Sequence, residues 1–294
     1  MTVRMKADLV VDGRWELGEG PVWDPQTGEL VFVDIAGRAV LRHRPGEAHA
    51  RAIPTPLDIG CVSIRRGGGL VAALADGFWV TEPGSEAWTQ LAAVEADLPD
   101  RRFNDGKCDP AGRLLAGSMA YDKRRGGGAL YQLDPDGTVV QLLADVTISN
   151  GLTWSADGRT LYYIDTPTGR IEAFTYDPST GAMSHRRTHV TWPDGEPGSL
   201  DGMTIDVEGG LWVAIWGGWK VVRFGANGRV DAVIEVPAAH VTSCTFGGPD
   251  LDELYITSAW SEVPDADRAS QPHAGSVFRV RPGVRGYAPV EFAG

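Results

Sequence analysis

The sequence predicts an all-β protein, a six-bladed β-propeller. Three observations lead there. The 294 residues include 38 Gly and 10 Trp, a composition rich in turns and strands. A short apolar stretch, a turn with Asp or Gly and a second strand-like run recur six times. The copies are spaced by about 45 residues, the span of a four-stranded propeller blade.

The first copy reads GPVWDPQTGELVFVD from Gly20, and the second CVSIRRGGGLVAAL from Cys61. GKCDPAGRLLAGS starts at Gly106 and GLTWSADGRTLYYID at Gly151. GMTIDVEGGLWVAI from Gly202 and CTFGGPDLDELYITS from Cys244 complete the set. The equivalent leucines are Leu30, Leu70, Leu114, Leu161, Leu211 and Leu254. Turns such as Ala111-Gly112 and Asp157-Gly158 suit hairpins. A third alternating run follows at 39–44, 129–133, 171–176 and 221–224, so each copy holds about four strands. The second copy, 57–85, is the most divergent. Residues 7–11 precede the first copy and are expected to pair with the C-terminal blade, because an open ring leaves sheet edges unpaired. On this count residues 1–294 form one domain. A WD-repeat reading fails, since Trp23-Asp24 is the only Trp-Asp pair. A kelch reading lacks regularly placed Gly-Gly pairs.

With 27 basic and 39 acidic residues the formal net charge is −12. That argues against nucleic acid or an anionic membrane surface as partner. Three cysteines without a CxxC pair suit neither a disulfide framework nor a Cys-based zinc site. Cys61, Cys108 and Cys244 fall near inner-strand starts and are expected to be buried and unreactive. Asp8 and Asp12 interrupt the N-terminal apolar stretch, so no signal peptide is expected, and no run of 18 apolar residues occurs. The expectation is a cytoplasmic protein, a monomer or small homo-oligomer.

The repeat alignment places one residue of each copy just before its first strand: Glu19, Gly60, Asp105, Asn150, Asp201 and Ser243, with Asn104 one earlier in the third. In a propeller these ends converge at one mouth of the channel. Glu19, Asn104, Asn150 and Asp201 would meet there. Each alone reads as a turn former or solvated loop residue. Two carboxylates and two amide oxygens in register are a donor set for a hard divalent cation.

The segments LGEGPVW (17–23), RFNDGKCDPAGRLLAGSM (102–119), SNGLTWSADGRTLYYID (149–165), LDGMTIDVEGGLWVA (200–214), SCTFGG (243–248) and QPHAGSVFRV (271–280) resemble the SMP-30/gluconolactonase/regucalcin-like family. The resemblance touches five of the six repeats. It implies a six-bladed propeller with one divalent metal ion in the central channel, Ca2+ first, with Zn2+, Mn2+, Mg2+ or Fe2+ as alternatives. It implies Glu19, Asn150 and Asp201 as metal ligands and Arg102 and Asn104 as substrate-binding residues. The spacing alone does not point to Arg102. Relatives carry a substrate-facing acidic residue just after the motif seen here as GSMA. Tyr121 and Asp122 follow it in this chain and are candidate substrate-binding residues, with Asp122 the candidate replacement for that acidic contact. IWGG (215–218) is similar to bacterial sugar-lactone hydrolases.

The implied function is metal-dependent hydrolysis of a sugar lactone, such as gluconolactone, xylonolactone or arabinonolactone, to the aldonic acid. Asp201 would serve as both ligand and general base. A regucalcin-like calcium-binding regulatory protein, or a hydrolase of another ester or organophosphate class, are the competing readings. No GxSxG elbow marks serine chemistry. Asp134-Pro-Asp-Gly starts like an EF-hand loop, but Val139 and Asp145 stand where Gly and Glu are required. The basic run 123–125 before three glycines reads as a loop beside the channel mouth, a candidate lid.

Overall fold

The computed structural model describes residues 2–294. Four of its six sheets run in chain order from an inner strand outwards, and the other two take their outermost strand from the N-terminal segment. The inner strands are Gly18–Asp24, Ile59–Ile64, Arg101–Cys108, Ser149–Trp154, Ser199–Ile205 and Val241–Gly247, in blades 1 to 6. Each touches the inner strand of the next blade, and the last touches the first. The molecule is the six-bladed β-propeller that the periodicity predicts. The divergent second copy is a full blade whose outer strand is Trp88–Ala93. Among the described residues no helix is long and apolar enough to cross a membrane.

Neighbouring blades cover both faces of the inner and second strands, so these read as apolar runs rather than alternations. Leu70–Leu74 is buried throughout, whereas the outer strand Trp88–Ala93 is half-buried or exposed. The core is therefore a set of seams between blades. Val33, Ile53, Val62 and Leu70 fill the one between blades 1 and 2, and Ile164, Leu200, Met203 and Val213 the one between blades 4 and 5.

An aspartate after the inner strand organises the hairpin in several blades. Asp109 Oδ1 accepts the backbone N–H of Ala111 and Arg113 at 3.0 and 2.8 Å. Its Oδ2 accepts Arg113 Nε–H and the Tyr176 hydroxyl, each at 2.7 Å. Asp206 repeats this in blade 5, accepting from Gly210 N–H, Trp212 Nε1–H and Arg223 Nε–H. The Asp-containing turns thus also tie the first hairpin to a later strand, of the same blade at Asp206–Arg223 and of the next blade at Asp109–Tyr176.

Asp8–Val11 pairs antiparallel with Val277–Val280 and forms the outer strand of blade 6, as expected of residues 7–11. Val3–Lys6 adds something the sequence reading lacks: it pairs in parallel with Val230–Glu235 as a fifth strand of blade 5. The N-terminal segment therefore stitches two blades together. The C-terminal segment crosses the opposite end of the channel. There Phe292 N–H donates to Ile64 carbonyl at 2.8 Å and Phe292 carbonyl accepts Arg66 N–H at 2.9 Å. The Phe292 ring is fully buried among Val71, Phe78, Phe103 and Leu114. Phe292→Ala should lower unfolding free energy by about 3–5 kcal/mol, read by urea denaturation. A loss within about 0.5 kcal/mol would show that this anchor carries no weight.

Candidate metal centre and cleft

In every blade the pairing of inner and second strand slips by a residue or more near one end. The slips fall between Glu19 and Val22, Ile59 and Cys61, Phe103 and Gly106, Asn150 and Leu152, Leu200 and Met203, and Val241 and Ser243. A bulge leaves residues unpaired and re-aims their side chains. Here the bulges coincide with the polar residues that the repeat alignment puts in register. The glycines beside them are not hairpin turns. Gly151 lies inside its strand, where a Cβ would come within 2.6 Å of the Asp201 carbonyl of the next blade. Glycine permits this close approach of neighbouring inner strands.

Two aspartates set the loops entering the site. Asp34, ending the second strand of blade 1, accepts the N–H groups of Glu16 and Leu17 at 3.1 and 2.9 Å. Asp165 does the same in blade 4 for Thr147 and Ile148. They hold the chain just ahead of Glu19 and Asn150.

Glu19, Asn104, Asn150 and Asp201 are all buried, and with Arg102 they line one cleft of about 260 Å³. Desolvation, and then the charges of Asp201 and Asp105, push the Glu19 carboxyl well above its ordinary value. Desolvation and Asp105 do the same to Asp201, against hydrogen bonding from Asn150 and Glu19. Asn150 Nδ2 donates to Thr166 Oγ1 at 3.0 Å, but its buried Oδ1 has no hydrogen-bond partner. Two mutually repelling buried carboxylates and an orphaned amide oxygen fit a hard cation, which would neutralise the pair and occupy the free acceptor. No group of three or more His, Cys, Asp or Glu suited to a metal gathers among the described residues, so this donor set needs the Asn150 amide.

Arg102 sits beside this set. One guanidinium N–H group donates to Asn104 Oδ1 at 2.7 Å and to Phe103 carbonyl at 3.0 Å. Asn104 Nδ2 in turn donates to Ser149 carbonyl at 2.7 Å. Burial pushes Arg102 down, while Tyr121, Asp58, Glu19 and Asp201 favour its charge.

Two expected residues lie elsewhere. Asp122 is exposed, accepts from Arg124 at 3.1 Å and does not line the cleft. The turn after the second strand of blade 3 points it to solvent. Tyr121 is also outside the cleft lining, and its hydroxyl donates to Asp58 Oδ2 at 2.6 Å. From the basic run, Lys123 reaches the cleft rim and meets Glu262 of blade 6 at 2.7 Å, while Arg124 pairs with Asp100.

Sequence reasoning missed Glu262, Thr166, Ser199 and Trp216 in the lining. The Trp216 ring stacks on His240 at 4.2 Å and 3°. Thr166 and Trp216 end or follow second strands, so extending the register argument from first to second strands would have found them. The three cysteines are buried free thiols, and burial pushes Cys108 and Cys244 up to about 12.

A family model described as SMP-30/Gluconolactonase/LRE-like region matches residues 17–260. The chain is 41% identical over 297 residues to regucalcin of Xenopus laevis, covering 99% of each chain. It is 38% identical over 291 residues to the putative sugar lactone lactonase YvrE of Bacillus subtilis, again covering 99% of each. Among solved structures it is similar to the calcium-binding protein regucalcin from Agrobacterium tumefaciens, with TM-score 0.94, 28% identity and 99% of each chain covered.

The raised carboxyls set a sign for pH dependence. Glu19 and Asp201 hold protons more tightly folded than unfolded, so their contribution is present below their ordinary values of 4.5 and 3.8. It is lost as pH rises through the elevated folded values. The stabilisation by a bound divalent cation should therefore be greater at about pH 8 than at about pH 5, where protons compete for the same oxygens. Unfolding temperature with Ca2+ or chelator at each pH checks this, and a cation effect that shrinks with pH would contradict it.

Proposed function

The chain belongs to the SMP-30/gluconolactonase/LRE-like family, and from that premise we propose that it is a metal-dependent sugar lactone lactonase. Residues 1–294 act as one domain that opens a lactone to the aldonic acid, with gluconolactone, xylonolactone and arabinonolactone as candidate substrates. The observation that carries this reading is the buried Glu19–Asp201 pair with the unpartnered Asn150 Oδ1, beside the half-buried Arg102 in a cleft of about 260 Å³. The lactonase relative supports the substrate class, and the calcium-binding relative supports Ca2+ as the first candidate cation.

Glu19, Asn150 and Asp201 would hold a divalent cation, which would supply Lewis acidity towards the lactone carbonyl and a lowered pKa for a nucleophilic water. The Asp201 carboxylate takes the proton from the attacking water. Ring opening then needs that proton delivered to the departing ring oxygen, so Asp201 ends the cycle ionised as it began. Arg102 offers guanidinium N–H groups to the oxyanion or to sugar hydroxyls. Asn104 already spends Oδ1 on Arg102 and one N–H on Ser149 carbonyl. Its main work is therefore to aim Arg102, with its second N–H left for substrate. Trp216, backed by His240, gives the cleft a flat apolar wall suited to the C–H face of a sugar ring.

The test is acid release from a panel of glucono-, xylono-, arabinono- and galactonolactones, with and without chelator. Metal-dependent release from at least one is expected, and release from none would overturn the reading. Glu19→Ala and Asp201→Ala should each abolish turnover and weaken cation binding with the fold intact. Arg102→Ala should cost about 10²-fold in kcat/KM with the cation retained. A calcium-binding role without turnover would leave Arg102→Ala with no catalytic deficit to show.

A further inference from the structure

Beyond the layer of Glu19, Asn150 and Asp201 the channel continues into a second chamber of about 290 Å³, bordered at its far end by residues 287–290. Hydroxyls of Thr153, Thr204 and Thr245 line it, one each from blades 4, 5 and 6. Its lining holds just two charged residues, Asp105 and Lys107, both on the inner strand of blade 3. Lys107 reaches past blade 4 to blade 5, where its ammonium donates to the Met203 carbonyl at 2.8 Å.

The charge balance of the channel gives Lys107 a meaning. Glu19, Asp105 and Asp201 are three buried carboxylates that act on one another. A single divalent cation neutralises two of the three charges. An uncompensated buried charge is costly and is normally paired. Arg102 brings positive charge to the cleft side, and Lys107 brings it to the second chamber, where Asp105 and Glu19 favour its protonated form. Asp105 also spends Oδ1 on the Gly106 N–H at 2.7 Å. Its carboxylate and the threonine hydroxyls form an oxygen-rich lining of the kind that hard cations prefer.

We propose that Lys107 is a built-in cation, seated where the channel would otherwise take up a second metal ion, and that it limits the protein to one divalent cation. This rests on the reading that Glu19, Asn150 and Asp201 hold that one cation. Lys107 touches none of these three and is not a catalytic residue. Its ammonium sets how many external positive charges the channel accepts.

Titration calorimetry of Ca2+ into chelator-stripped protein tests this. Wild type should take up one equivalent. Lys107→Met should take up two, and Lys107→Met combined with Asp105→Asn should return to one. Asp105→Asn alone leaves Lys107 without its counter-charge and should weaken the single site about tenfold; this variant serves if Lys107→Met fails to fold. One equivalent for Lys107→Met, or wild-type affinity for Asp105→Asn, would overturn the inference and leave the lactonase reading standing. No uptake by wild type would overturn the metal reading and the inference together.

Discussion

Ring closure forces like charges together at the axis, and much of the molecule answers that constraint. Six inner strands standing side by side bring Glu19, Asp105 and Asp201 into one narrow channel. In water these carboxylates would separate. Here blades on every side prevent it; desolvation raises all three, and repulsion from neighbouring carboxylates adds to it at Glu19 and Asp201. The local structure tempers the cost. Glu19 accepts the Gly20 N–H at 2.6 Å and Asp105 the Gly106 N–H at 2.7 Å. Arg102 and Lys107 bring positive charge from the same strand of blade 3, one to each chamber of the channel. The proposed divalent cation completes this compensation.

Holding such a site requires rigid walls. The register slips turn polar side chains to the axis without breaking the blades, because the second and third strands of each sheet stay paired. The seams between blades are filled by buried aliphatic and aromatic side chains. Both chain ends reinforce the ring. The N-terminal segment joins blades 5 and 6, and the C-terminal segment runs from blade 6 to the seam of blades 2 and 3. A lactone substrate would thus meet a preorganised site whose donors need little reorganisation.

The fold was readable because each blade repeats the same solution to the same packing problem. Leu30, Leu70, Leu114, Leu161, Leu211 and Leu254 all sit in second strands that neighbouring blades bury, so their spacing reports blade size directly. The buried oxygens were readable for the same reason: equivalent positions in equivalent repeats share one end of the channel. Asp122 shows where that logic stops. It lies in a turn outside the repeat core, where side-chain direction follows local contacts with Arg124. Tyr121 turns to Asp58, a partner 63 positions away in the chain.

By itself the sequence determined the six-bladed architecture, the strand that closes blade 6 and the convergence of Glu19, Asn104, Asn150 and Asp201. All of these follow from periodicity, which a chain carries in its residue order. Only the tertiary structure decided which atoms within that ring remain unpaired. The free Oδ1 of Asn150, the fastening of Asn104 to Arg102 and the reach of Lys107 to Met203 depend on bulges and on distances between blades. Residue spacing contains neither, because hydrogen-bond partners at the axis come from strands separated by whole repeats.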